Sequence, residues 1–181
     1  MDRTRETILQ DPGVLPPAEF RKLMAGWPTG VCVVTSAAGE LPVGCTVNTL
    51  ATVSLEPPTA VVSLAGNSAT LGAVREHGLF GVNVISHRDY ELGHRFARVA
   101  REERFTGVAY TWTLSVPLLD VAHLRSVYRV EHWLPVSDHV LIVGRLLLAL
   151  PSAEPPQTQG GPAVRYEREY WRLCPAEEPA N

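Results

Sequence analysis

The chain has 181 residues, of which 45% are hydrophobic and 19% charged, with 19 acidic side chains against 16 basic ones. A chain of this length and composition can bury one sizeable core, which excludes disordered, collagen-like and fibrous classes. The formal net charge is −3 and like charges form no long block, so we expect no nucleic-acid or membrane partner. The sequence has no membrane-length apolar run, no signal-peptide core and no paired cysteine motif, and therefore predicts a cytoplasmic protein with free thiols.

The first third of the chain predicts one helix followed by strands. PPAEF opens a helix that places the apolar side chains of Phe20, Leu23, Met24 and Trp27 on one face. The run 31–37 is continuously apolar, which is typical of a strand covered on both faces. After a turn at 38–40, the segment 44–58 predicts a single second strand that ends at a proline pair.

The middle of the chain predicts alternating strands and short helices. TAVVSLAG indicates a third strand, and ATLGAVREHG a short helix with Ser68 as its N-cap and Gly78 at its end. LFGVNVIS indicates a fourth strand. HRDYELGHRFARVA has helical spacing, although Gly93 weakens the middle of that helix.

The last third predicts a long hairpin and a docked terminal segment. LRSVYRVEHWL and HVLIVGRLLLAL flank the turn residues Pro135, Ser137 and Asp138. A surface loop follows, and AVRYEREYWRL alternates apolar with charged residues, so that Tyr166, Tyr170 and Leu173 can dock on the body.

These elements together predict one mainly β domain of about seven strands and two or three helices, arranged as a β-barrel with peripheral helices. We expect an N-terminal extension at 1–16, the domain at 17–173 and a disordered tail at 174–181.

Common catalytic motifs are absent from the sequence. There is no G-x-G-x-x-G, no Walker phosphate loop and no G-x-S-x-G elbow. The six histidines include no H-x-x-x-H or H-E-x-x-H pair, so we predict no metal site. We interpret Cys45 as a small core residue.

Small polar residues instead cluster near predicted strand ends and one helix start. They are Thr46, Asn48, Thr49, Thr52, Asn67, Ser68 and Thr70. A helix that begins at Ser68 would present free N–H groups and the positive end of its dipole to a phosphate. The simpler reading is also open: Ser68 is then only an N-cap, and the threonines only favour strands.

Several long motifs carry a resemblance to a known family. They are FRKLMAGWPTGVCVVTS, GCTVNTLATVSLEPP, AGNSATLGAV, LFGVNVIS, HRFA, ERFTGV, PLLD, SDHVLIVGR and a terminal Y-x-x-x-Y, within about 20–173. The chain resembles the flavin reductase family with the FMN-binding split-barrel fold, the small reductase components of two-component flavin monooxygenases.

This resemblance implies a six-stranded Greek-key split barrel, a homodimer and reduction of FAD or FMN by NADH or NADPH. Reduced flavin would then pass to a partner monooxygenase. Two alternatives share the fold: a non-catalytic flavin-binding protein, and an oxidase that retains its flavin.

The resemblance also implies site residues. For flavin they are Thr29, Gly30, Thr46, Val47, Asn48, Thr49, Asn67, Ser68 and Thr70, and for NAD(P)H they are His139, Tyr166 and Tyr170. His139 would orient the nicotinamide; the alternative is a hairpin histidine that faces water. Arg95 either reaches the flavin phosphate or is a solvated helix arginine.

Overall fold

The computed structural model describes residues 15–151 and 160–173. The helices are α1 (Pro17–Ala25), α2 (Ala69–His77) and α3 (Tyr90–Arg98), with one 3-10 turn at Arg101–Glu103. The strands are β1 (Thr29–Gly30), β2 (Cys32–Ala38), β3 (Leu41–Val47), β4 (Ala51–Leu55), β5 (Pro58–Ala65), β6 (Leu79–Val84), β7 (Tyr110–Thr113), β8 (Val116–Leu119), β9 (Leu124–Val136), β10 (His139–Pro151), β11 (Ala163–Tyr166) and β12 (Glu169–Arg172).

The architecture is one antiparallel seven-stranded sheet with the order β3-β2-β6-β9-β10-β5-β4. Its two longest strands, β9 and β10, have 13 residues each and form the predicted hairpin, with the turn at Ser137 and Asp138. Pro135 lies within β9 rather than in the turn. Register shifts after Val143 and after Leu146 bend this hairpin, which helps a wide sheet to curl.

The prediction of a single strand over 44–58 is wrong. The chain leaves the sheet at 48–50, and the segment contributes to two strands, β3 and β4. β3 and β4 lie at the two opposite ends of the strand order. At the break, the Thr49 hydroxyl accepts a hydrogen bond of 2.9 Å from the Ser63 amide of β5. Periodicity could not reveal this crossing, because both pieces have the same strand-like composition.

The core is formed by this sheet with α2, α3 and the β7–β8 hairpin packed against it. Strand β2 is buried from Cys32 to Ala37, as predicted for a strand covered on both faces. Phe80 of β6 is fully buried and stacks on Tyr128 of β9, with ring centroids 5.2 Å apart. A Cβ at Gly144 would lie 2.6 Å from the Phe80 ring, so only glycine fits opposite this pair.

The three helices differ in how they pack. α2 has the predicted caps, with Ser68 as N-cap and Gly78 at φ 74°, and it buries Leu71 and Val74. α3 buries Phe96. α1 buries no side chain in this chain, and its predicted apolar face is exposed, which the amphipathic spacing alone could not tell. None of the helices described is long and apolar enough to cross a bilayer.

The terminal segment forms a hairpin that the sequence analysis missed. β11 and β12 pair with each other, and β11 pairs with β1 in a separate three-stranded sheet. Leu173 is 59% exposed, so its predicted docking is wrong. The short β7–β8 hairpin was also missed. The predicted loop after β10 and the disordered tail fall mostly outside the described residues.

Candidate functional site

A cavity of about 510 Å³ opens where β3 ends, β5 ends and α2 begins. β3 and the 48–49 segment form one wall, and the end of β5 forms another. The lining residues are Cys45, Thr46, Val47, Asn48, Thr49, Ser63, Leu64, Ala65, Asn67, Ser68, Ala69, Arg101, Arg104 and His139. Seven of the predicted site residues therefore meet here: Thr46, Val47, Asn48, Thr49, Asn67, Ser68 and His139.

One end of the cavity is suited to a phosphate. α2 begins there, and the N–H groups of its first turn lack acceptors within the helix. Ser68 makes no side-chain capping bond to the helix. The α2 dipole adds positive potential at the same point. The helix start is therefore available to an anionic group.

Two arginines that the sequence analysis did not select line this cavity. Arg104 donates from Nε to the Val99 carbonyl at 3.0 Å and from Nη1 to the Gly44 carbonyl at 2.8 Å. These bonds fix the guanidinium against β3 and leave Nη2 without a protein acceptor among the residues described. Arg101 is exposed and paired with Glu102. The ERFTGV motif contains Arg104, but its carbonyl partner is 60 residues away.

Arg95 is neither at the phosphate end of the cavity nor a solvated helix arginine. It donates to the carbonyls of Glu103, Arg104 and Thr106 at 2.7–2.8 Å. It does not line the cavity, so it holds the 103–106 segment rather than a phosphate. Arg104 is thereby positioned through its own carbonyl.

The hydroxyls of three threonines of the predicted site are hydrogen-bonded or buried within the protein and are not available to a ligand in the cavity. The Thr46 hydroxyl donates to the Gly93 carbonyl of α3 at 2.7 Å. Thr49 bonds to β5 as described above. Thr70 is 2% exposed and does not line the cavity, so it contributes through the α2 backbone at most.

Thr29 and Gly30 lie apart from the cavity. They form β1, which pairs with β11 at Arg165 and Val164. Thr29 lines a neighbouring cleft of about 450 Å³ together with Asn48 and Arg165. This cleft adjoins the cavity through Asn48, so the first strand approaches the site only at its margin.

His139 lies at the cavity rim because strand pairing places it there. It opposes Ala65 at the end of β5, and Gly66 donates to the Asp138 carbonyl at 2.8 Å. Its Nδ1 lies 2.8 Å from an Asp138 carboxylate oxygen, which fixes the ring orientation. This hydrogen bond holds the pKa of Asp138 below its usual range. His139 is 47% exposed, so Nε2 is open to a ligand.

The two predicted tyrosines occupy different surroundings. Tyr170 lines a smaller cleft of about 210 Å³, which shares Thr46, Val47 and Asn48 with the cavity. Tyr166 lines none of the clefts described here and packs edge-on against Trp171 at 5.8 Å. Only Tyr170 therefore adjoins the candidate site.

Cys45 lies in the cavity wall beside α2. Burial raises the pKa of its thiol, while hydrogen bonds with Thr70 and Ser68 and the charge of Arg104 oppose that rise. Because burial dominates, the thiol stays protonated at neutral pH.

The donor set fits a flavin mononucleotide moiety. A helix start and an arginine meet a phosphate, hydroxyls and amides suit a ribityl chain, and the uncharged 45–49 wall suits a neutral ring. When bound, a flavin accepts a hydride from a nicotinamide.

Comparison with known proteins agrees with this geometry. A family model for the flavin reductase like domain matches residues 24–173. The chain is 37% identical to the NADH-dependent FMN reductase AsuE2 of Streptomyces nodosus subsp. asukaensis, over 95% of this chain and 90% of that one.

Two solved structures have the same fold. Flavin reductase HpaC complexed with NADP+ is 26% identical, with a TM-score of 0.77 over 86% of this chain and 97% of that one. The styrene monooxygenase flavin reductase of Pseudomonas putida S12 is 26% identical, with a TM-score of 0.77 over 87% and 99%. The mainly β fold and the family predicted from the motifs are confirmed, and this chain belongs to the flavin reductase family.

Proposed function

We propose that the protein is an NAD(P)H:flavin oxidoreductase that reduces free FMN or FAD and supplies the reduced flavin to a partner monooxygenase. One observation carries this proposal: strand pairing brings His139 to the same cavity that the α2 start and Arg104 line. A phosphate-binding end and an oriented imidazole then lie at one ring-sized site.

In this proposal each group of lining residues contacts a different part of the flavin or the nicotinamide. The α2 start and Arg104 would hold the flavin phosphate, and N–H groups of the 46–48 segment would stabilise negative charge on the ring. Asp138 holds the His139 ring, and His139 orients the nicotinamide against the flavin. No protein nucleophile is needed, because the cofactors carry the electrons.

The phosphate end supports a flavin that dissociates. Arg104 uses its Nε–H and one Nη1–H on backbone carbonyls, which leaves fewer of its donors for a phosphate. Arg101 is exposed to solvent, which screens its charge. Modest affinity suits delivery of reduced flavin to a separate oxygenase, such as the one implied by the name of the styrene monooxygenase reductase.

The proposal includes a homodimer in the cytoplasm. The exposed apolar residues of α1 and the segment after it support a subunit contact; Leu23 is 68% exposed and Trp27 is 65% exposed. The free thiols of Cys32 and Cys45 suit a reducing compartment. Sedimentation of the wild type should give twice the monomer mass, and Leu23→Glu should shift it towards monomer. A monomeric wild type would contradict the dimer.

Steady-state NADH and NADPH oxidation with FMN, FAD or riboflavin tests the activity. His139→Ala should raise the KM for NAD(P)H severalfold while the KM for flavin changes little. His132→Ala is the matched control, because His132 is an exposed histidine of the same hairpin. An unchanged KM for NAD(P)H in His139→Ala would remove His139 from the site.

Two other outcomes would select the alternatives. Flavin that remains bound through gel filtration would favour an oxidase of this fold. Flavin binding without oxidation of either nucleotide would favour a non-catalytic binding protein.

A further inference from the structure

A smaller cleft adjoins the cavity and carries positive charge. It lies between α3 and the β11–β12 hairpin and has a volume of about 210 Å³. Its lining residues are Val31, Thr46, Val47, Asn48, His94, Ala97, Arg98, Arg165 and Tyr170. Thr46, Val47 and Asn48 line both spaces, so the cleft adjoins the cavity along this segment.

Uncompensated positive charge lines this cleft. Arg98 comes from α3 and Arg165 from β11, and neither forms a salt bridge with any residue in the described parts of the chain. No aspartate or glutamate lines the cleft. The neighbouring 450 Å³ cleft shares Arg165 and adds Arg21 and Arg168, again without a lining carboxylate. Such a concentration of guanidinium groups favours an anionic ligand.

The position of Arg165 is fixed by an aromatic stack. Its guanidinium carbon lies 5.0 Å from the centroid of the Tyr170 ring. The centroid of the Tyr170 ring lies 4.7 Å from that of His94 and 5.3 Å from that of Tyr90. The Tyr170 hydroxyl lies against Gly93. Arg165 therefore loses little side-chain freedom when it binds a ligand.

Arg98 lies near the same ring from the opposite element. Burial raises the pKa of Tyr170, and the charges of Arg165 and Arg98 both oppose that rise. The cleft thus has one cation on each wall. This arrangement suits a ligand with two neighbouring negative groups, as in a pyrophosphate.

We infer that Arg98 and Arg165 form a subsite for the pyrophosphate of the nicotinamide dinucleotide. The inference rests on the proposed function and adds the residues that bind the two phosphates of the dinucleotide. FAD also contains a pyrophosphate, but its first phosphate belongs at α2 and Arg104, in the cavity rather than in this cleft. The cleft adjoins the ring-lining segment instead, where the nicotinamide would stack.

Binding to flavin-free protein provides the first test. Tryptophan fluorescence would follow titration with NAD+ and with nicotinamide riboside, which lacks both phosphates and the adenosine. In Arg98→Gln/Arg165→Gln the Kd for NAD+ should rise about tenfold, whereas that for the riboside should stay within about twofold. Arg129→Gln is the matched control, because this exposed arginine of β9 lines none of the clefts described.

Kinetics provide the second test and separate the two sources of pyrophosphate. The double variant should raise the KM for NADH about tenfold but leave the KM for dihydronicotinamide riboside, FMN and FAD nearly unchanged. The single variant Arg98→Gln should give a smaller rise in the same direction. Arg98 is exposed and has no bonded partner among the described residues, so the single variant leaves the fold intact.

Three results would overturn the inference, and a fourth would contradict only the proposed function. Equal Kd values for NAD+ in wild type and double variant, or no NAD+ binding by the wild type, would overturn the inference. A raised KM for FAD alone would assign the subsite to FAD and overturn it as well. A wild type that binds NAD+ through these arginines but oxidises no nucleotide would contradict the proposed function and leave the subsite standing.

Discussion

Gly93 of α3 lies where the helix meets the Tyr170 hydroxyl, and replacing it tests the packing of Tyr170, which lines the smaller cleft. A Cβ at Gly93 would overlap that hydroxyl, and would lie 3.2 Å from Tyr170 Cζ and 3.3 Å from Val31 Cγ1. Gly93→Ala should therefore displace the Tyr170 ring. Gly72 is the matched control, because it lies in α2 with no atom within 4 Å of its Cβ position.

The two substitutions should shift stability in opposite directions. Glycine to alanine in a helix gains about 1 kcal/mol where nothing clashes, so Gly72→Ala should raise the free energy of unfolding by about that amount. At Gly93 the same gain is opposed by about 1–3 kcal/mol of overpacking. The lost contacts of the ring with Tyr90 and His94 add about 0.5–1.5 kcal/mol each. Gly93→Ala should therefore be about 1–5 kcal/mol less stable than wild type.

Urea unfolding at one protein concentration would measure these differences. The double variant Gly93→Ala/Tyr170→Phe removes the hydroxyl that meets the new methyl group. It should recover about 1 kcal/mol relative to the sum of the single variants, which a double-mutant cycle detects. If Gly93→Ala proved as stabilising as Gly72→Ala, the close packing of Tyr170 on α3 would be refuted.

Three further predictions follow from the cavity and the turns. Arg104→Gln should weaken FMN binding about tenfold and leave riboflavin binding unchanged, as measured by quenching of flavin fluorescence; equal losses for both would mean that Arg104 does not meet the phosphate. Burial raises the pKa of Cys32 to about 12 and also raises that of Cys45, so little of either thiol is the reactive thiolate at neutral pH. Peptide-resolved alkylation should leave Cys32 unmodified, and the Cys45 rate should rise with pH beyond about 8.5 and fall with FMN; rapid labelling of Cys32 would contradict its burial. Ser115→Gly should raise the thermal midpoint by about 1–3 °C, because Ser115 has φ 61° in the β7–β8 turn; a lowered midpoint would contradict this conformation.

Local signals in the sequence predicted much of the fold. Ser68 and Gly78 define α2 at both ends, because capping depends on residues next to the helix. The β9–β10 hairpin followed from two apolar runs around Ser137 and Asp138. The break between β3 and β4 did not, since it depends on the distant bond between Thr49 and Ser63.

The candidate site was predictable where motifs and one helix start coincide. Asn67 and Ser68 line the cavity as expected, and His139 reaches it through the β5–β10 register. Arg104 was missed, because its place depends on a bond to Gly44, 60 residues away. Gly93 appeared only as a weak point in a helix, although it is the contact point of Tyr170.

The central claim is that this chain transfers a hydride from a nicotinamide dinucleotide to a flavin bound in the cavity beside His139. Anaerobic addition of NADH to FMN with a catalytic amount of protein, followed by loss of the FMN absorbance, measures that transfer directly. The account predicts one equivalent of FMN reduced for each NADH consumed, at a rate proportional to protein concentration. Unchanged FMN, FAD and riboflavin absorbance with both NADH and NADPH, from protein that quenches flavin fluorescence, would contradict it.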